Sequence, residues 1–134
     1  MTGTVLFELE VDKVPVPWSR TRGLQHWKDS RVRGWQAYLR ELADEEMALR
    51  GREGFPIERP YRIDIMVWYH DRRFEACDQD NCEKCIFDAF NKLVWVDDRL
   101  KYMRAHSFEV EWVPVPVERT IITISHKLPR PLKL

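Results

Sequence analysis

The chain has no uninterrupted apolar run long enough to span a bilayer, which excludes a conventional membrane helix. Its first residues, MTGTVLFELEVDKVP, lack a basic start, an apolar stretch and a small-residue cleavage site, so they do not form a secretory signal. Cysteine is scarce and odd in number, with three residues crowded at Cys77, Cys82 and Cys85. That count argues against a disulfide framework and for a reducing interior, so a cytoplasmic protein is expected. Net charge is absent too: 22 Lys and Arg stand against 22 Asp and Glu. The overall positive field of many nucleic-acid binders is therefore missing. There is no internal repeat, no low-complexity segment and no linker, and 134 residues suit one domain spanning 1–134.

Apolar and aromatic residues are plentiful. The hydrophobic fraction is 44%, and six Trp, six Phe and four Tyr allow an aromatic-rich core. Charge is local rather than global. Between Arg20 and Arg40 six basic residues face one acid, Asp29, and the tail after His126 carries Lys127, Arg130 and Lys133 without an acid. Negative charge gathers at Asp44–Glu46 and between Asp71 and Asp98.

The pattern along the chain predicts an α+β fold, a mixed β-sheet packed with two main helices in the order β-α-β-α-β-β. Val5–Val11 alternates as a half-buried strand. The prolines of Val14–Trp18 confine that segment to an edge or loop, and Ser19–Lys28 reads as a basic loop. Asp29 or Ser30 can cap a helix over Arg31–Arg50, with a stripe of Trp35, Tyr38, Leu39, Leu42, Glu46 and Leu49, ending near Gly51. Gly51–Pro60 is a loop and Tyr61–Tyr69 a central strand. After the polar connection His70–Gln79, a second helix reaches about Leu93, and the strands Leu100–Trp112 and Val117–Ser125 follow, separated by Pro114–Pro116.

The second helix has two faces. Cys82, Cys85, Ile86, Ala89 and Leu93 make an apolar stripe, while Asp80, Lys84, Phe87, Asp88 and Asn91 lie opposite. Asp80 and Lys84 are one turn apart and point the same way. Asp78 and Asp80 flank Gln79, so in extended backbone their carboxylates share a side and can grip a hard cation such as Mg²⁺. Such a metal polarises a phosphodiester and activates water, and Lys84 can neutralise charge in the transition state. The plainer alternative makes both aspartates solvated acids at a helix start, favoured by its dipole. Cys77-x4-Cys82-x2-Cys85 has the spacing of part of an iron–sulfur or zinc site, with His70 or His106 as a fourth zinc ligand. Against that reading, Cys82 and Cys85 already have a place on the apolar stripe, where free cysteine behaves as a small hydrophobe.

The run DQDNCEKCIFDAFNKLVWVDD resembles the signature of the RusA-type Holliday junction resolvases. The matching elements are Asp78, Asp80, Asn81, Lys84, Phe87-Asp88-Ala89, Trp95, Asp97 and Asp98. The specific likeness covers roughly Arg72–Asp98, and the rest agrees in arrangement. The resemblance implies a homodimeric, Mg²⁺-dependent endonuclease of recombination and repair, with Mn²⁺ as a possible substitute, that nicks two symmetry-related strands of a four-way DNA junction. It implies Asp78, Asp80 and Asp98 as the metal-holding catalytic acids and Lys84 as the essential base-type residue, with Asp97 a weaker candidate. Expected phosphate contacts are Arg20, Arg22, Lys28, Arg31, Arg33, Arg72, Arg73 and Lys101. Phe74 is either a wedge at an opened base step or a buried loop anchor. Some of Trp18, Trp27, Trp35 and Trp68 are expected at a dimer surface. A branched-DNA binder without catalysis, or a cysteine-ligated zinc or iron–sulfur protein, are the alternatives.

Overall fold

Alternate apolar residues on three strands meet in rows across one sheet face. A computed structural model describes residues 4–16, 30–99 and 101–126. Its elements are β1 (Thr4–Val11), α1 (Ser30–Arg50), β2 (Tyr61–Tyr69), a 3-10 turn at Arg72–Ala76, α2 (Gln79–Phe90), β3 (Met103–Trp112) and β4 (Arg119–His126). The expected order and the mixed sheet are both observed. The strands lie in the order β1-β4-β2-β3, with β2 and β3 parallel and the other pairs antiparallel. A parallel pair needs a long crossover, and α2 with its preceding turn supplies it.

Register explains the core. Phe7, Ile124 and Ile63 form one row, Leu9, Ile122 and Ile65 the next, and Val11, Thr120 and Val67 the third. All nine are buried. Thr120 is the polar member, and its hydroxyl donates to the Lys13 carbonyl at 2.6 Å, which satisfies it. Above this face α1 buries Val32, Trp35, Gln36, Leu39, Ala43 and Met47. The buried stripe is thus rotated from the expected one. Leu49 is 82% exposed, and Glu46 pairs with Arg50 at 3.1 Å. The amide of Gln36 donates to the Cys85 carbonyl at 2.9 Å and ties α1 to α2. Trp35 belongs to this core and is not at a surface, Trp68 is half-buried, and Trp18 and Trp27 lie outside the described residues.

Three boundaries differ from the sequence reading by two residues or more. The second helix stops at Phe90, not Leu93, with Asn91 as its cap and Lys92 in the left-handed region at φ 68°. The turn allows Trp95 to fold back, fully buried, against Phe87 and Phe90 with ring centroids 5.6 and 5.4 Å away. Burying an indole outweighs another helical turn. The third strand begins at Met103 because Tyr102 and Met103 both donate to the Arg99 carbonyl in a turn. The fourth begins at Arg119, after a tight turn in which the Val117 amide bonds the Val115 carbonyl. Among the described residues no helix is long and apolar enough to cross a membrane.

Candidate active site

The first turn of α2 is set by its cap. Asp78 is extended (φ −79°, ψ 127°), and its carboxylate accepts from the Asp80 amide at 3.2 Å. Helix begins at Gln79, so the strand-like alternation expected to put Asp78 and Asp80 side by side ends there. Asp78 is turned onto its own helix instead. The Gln79 side chain donates to the Phe108 carbonyl at 2.9 Å and pins this turn to β3.

From there helical spacing takes over. Asp80, Lys84 and Asp88 recur every fourth residue, and with Glu83 and Phe87 they line a cleft of about 240 Å³. Asp98 and His106 complete the lining. Asp80, Lys84 and Asp98, separate in sequence, are therefore brought to one place, and Asp78 is not among the lining residues. Asp80 and Lys84 are exposed, while Asp88 and Asp98 are half-buried.

Asp98 is held through a short relay. The indole N–H of buried Trp95 donates to Asn91 Oδ1 at 2.5 Å. The Asn91 amide also hydrogen-bonds the Asp98 carboxylate. Burial pushes the Asp98 carboxyl above its ordinary range, with the Asn91 bond opposing the rise and neighbouring Asp97 adding to it. Asp97 is different. Burial opposes its charge too, but the Arg99 backbone amide and guanidinium, the latter 2.6 Å away, bring its carboxyl below the ordinary value. Of the adjacent pair, Asp97 is satisfied by Arg99, and Asp98 is the one that lines the cleft with its charge poorly compensated.

Sequence reasoning left Glu83 out of this site and considered His106 only as a zinc ligand. Glu83 is only 8% exposed, and His106 Nδ1 lies 2.6 Å from its carboxylate. His106 also meets Phe87 edge to face at 6.3 Å. The signal lies in the sheet register. His106 pairs with Ile63, and Phe108 with Ile65, so His106 is on the helix-covered face of β3. Asn91, read only as a polar-face residue, gains its role because the helix ends beside it.

The donor set suits a hard divalent cation. Asp80, Asp88 and Asp98 offer carboxylate oxygens, and the raised Asp98 carboxyl shows a charge that a cation would compensate. As the side chains lie, no three His, Cys, Asp or Glu among the described residues form a group able to hold a metal. Cys82 and Cys85 are buried and Cys77 half-buried, and burial pushes the Cys82 thiol up to about 12. Cys82 and Cys85 serve the core.

The basic candidates are scattered. Arg20, Arg22 and Lys28 lie outside the described residues. Arg31 and Arg33 are exposed at the start of α1. Arg72 pairs with Glu75 at 3.2 Å and lies 4.3 Å over the Trp112 ring. Arg73 grips Asp71, whose carboxyl is lowered to about 2 by that side-chain bond and by the Arg73 amide. Lys101 is exposed near the Tyr102 ring. Among the described ones, Arg31, Arg33, Arg72, Arg73 and Lys101, none lines the cleft. Phe74 packs against the core and 5.3 Å from Tyr69, the position of a loop anchor.

A family model described as endodeoxyribonuclease RusA matches residues 13–124. A comparison with curated proteins gives no match.

Proposed function

The chain belongs to the RusA endodeoxyribonuclease family, and we propose that it is a Mg²⁺-dependent nuclease that resolves four-way DNA junctions by paired, symmetric hydrolysis of phosphodiesters. The observation that carries this reading is the meeting of Asp80, Lys84 and Asp98 in one cleft. Asp80 and Asp98, with Asp78 from the start of the same helix, are the residues that would hold the ion. When bound, the metal supplies Lewis-acid activation of the phosphodiester and of water.

The remaining work falls to the chain itself. Asn91 keeps the Asp98 carboxylate in place, and Trp95 keeps Asn91 in place. Lys84, one turn beyond Asp80, is positioned to offset negative charge growing on the phosphoryl oxygens. Phe87 and the buried aromatic cluster behind it exclude water from one wall, which strengthens every polar contact in the cleft. A C2 dimer would present two such clefts to the two equivalent strands of a junction. Arg20, Arg22, Lys28, Arg31, Arg33, Arg72, Arg73 and Lys101 are the proposed phosphate contacts. Their binding should be salt-sensitive and independent of sequence.

The test is a mobile four-way junction incubated with the protein and Mg²⁺. Paired nicks are expected from the wild type, with Mn²⁺ able to replace Mg²⁺. Asp80→Asn should reduce the rate roughly 10²-fold or more, since it removes an interaction worth several kcal/mol in the transition state. Tight junction binding with no cleavage in either metal would instead mark a non-catalytic branched-DNA binder.

A further inference from the structure

Glu83 is a carboxylate in the apolar interior between α2 and the sheet, a costly place for a charge unless it is paired. Its partner is the imidazole of His106, 2.6 Å away through Nδ1. The pair joins the middle of α2 to the outer strand β3, and the His106 side chain is 58% exposed while that of Glu83 is 10% exposed. Both belong to the lining of the cleft with Asp80, Lys84, Asp88 and Asp98, but Glu83 is almost wholly covered and His106 is the partner open to it. The Phe87 ring, edge to face with the imidazole, limits its rotation.

This geometry selects a tautomer. An ionised Glu83 is only an acceptor, so Nδ1 carries the ring proton and donates it. The lone pair of neutral His106 is then on Nε2, the ring nitrogen left for the cleft. A carboxylate behind an imidazole also stabilises the cation that forms when Nε2 takes a proton. We infer that His106, oriented by Glu83, is the general base of the hydrolysis, a role that rests on the nuclease reading of this cleft. The water oxygen attacks phosphorus, and the water proton passes to His106 Nε2. The bond from phosphorus to the departing sugar oxygen breaks with its electron pair on that oxygen, which takes a proton from solvent. His106 then releases its proton to solvent. Glu83 touches no substrate and is a positioning residue.

A purely structural role, a staple between α2 and β3, predicts different results. The experiment compares wild type, His106→Ala and Glu83→Gln on a four-way junction, with junction affinity measured in parallel without metal. His106→Ala, less stable because Glu83 is left unpaired, should keep its junction affinity under conditions where circular dichroism shows it folded, while nicking falls roughly 10²–10⁴-fold, the usual contribution of a general base. Added imidazole should restore part of that rate in His106→Ala and none in the wild type. Glu83→Gln should give an intermediate loss. In ¹⁵N–¹H spectra of the free protein, His106 should be Nδ1-protonated in the wild type and a mixture of tautomers in Glu83→Gln. Unchanged nicking by His106→Ala, or a loss that imidazole leaves untouched, would overturn the role of His106 while leaving the nuclease reading standing. A wild type that binds junctions but never cuts them would overturn both.

Discussion

Replacing Asn91 by alanine should expose how Asp98 is held. The substitution keeps the backbone cap of α2, because the Asn91 amide bond to the Phe87 carbonyl needs no side chain. It removes two side-chain interactions. The indole N–H of Trp95, in a residue with no exposed surface, loses its 2.5 Å acceptor. An orphaned buried donor costs about 1–3 kcal/mol. The Asp98 carboxylate loses a hydrogen bond to its charged form, worth about 1 kcal/mol once its partial exposure is discounted. The two parts separate with pH. The folded-state carboxyl of Asp98 is raised, so the unfolded chain releases its proton first and ionising Asp98 costs stability as pH rises from the unfolded value through the folded one. Removing the Asn91 bond enlarges that cost, and the enlargement vanishes where Asp98 is protonated in both states. Urea unfolding should therefore show Asn91→Ala losing about 2–4 kcal/mol at neutral pH and about 1–3 kcal/mol below the ordinary carboxylate range, each relative to wild type at the same pH. An equal loss at both pH values would refute the bond to Asp98. A loss under about 0.5 kcal/mol at both would refute the whole relay.

Two other predictions concern residues outside the cleft. Asp71 is held down to about 2 chiefly by the Arg73 side chain, so an NMR titration should place its midpoint there and Arg73→Ala should move it towards 3.8. Being lowered, the group stabilises the fold above its unfolded value, and that contribution is lost as pH falls through about 2; an unaltered midpoint in the variant would contradict the pairing. The thiols should differ as well. Burial pushes Cys82 to about 12 and leaves Cys77 half-exposed, so a thiol reagent should modify Cys77 first and reach Cys82 and Cys85 only after unfolding. Three equally fast thiols in the native protein, or stoichiometric zinc or iron in the purified protein, would contradict the place of Cys82 and Cys85 in the core.

The parts of this fold written as local period were legible. Alternation gave β1, a run of β-forming residues gave β2, and the 3.6-residue spacing of α2 separated Cys82, Cys85, Ile86 and Ala89 from Asp80 and Lys84, as the burial pattern shows. What needed tertiary information was hidden. Nothing within α2 says that Glu83 is buried, because its partner His106 lies 23 residues away and meets it only through the parallel register of β2 and β3. The helix end at Phe90 depends on the burial of Trp95, five residues on. The pairing of Asp78 with Asp80 needs extended backbone through Gln79, and one residue of difference in the helix start decides whether the Asp78 carboxylate lies beside that of Asp80 or caps the helix, as the helix-start alternative has it. The rotated stripe of α1 has the same origin: Met47 is buried and Leu49 exposed because the sheet sits on one side of the helix only.

The most direct test of the central claim is the position of a bound cation. Crystals of the protein grown with Mn²⁺ should give an anomalous difference peak between the carboxylates of Asp80 and Asp98, within reach of Asp78 and beside Lys84, and the peak should vanish in Asp80→Asn. A peak elsewhere, or a cleft that stays empty at Mn²⁺ concentrations that support cleavage, would contradict the assignment of this cleft as the active site.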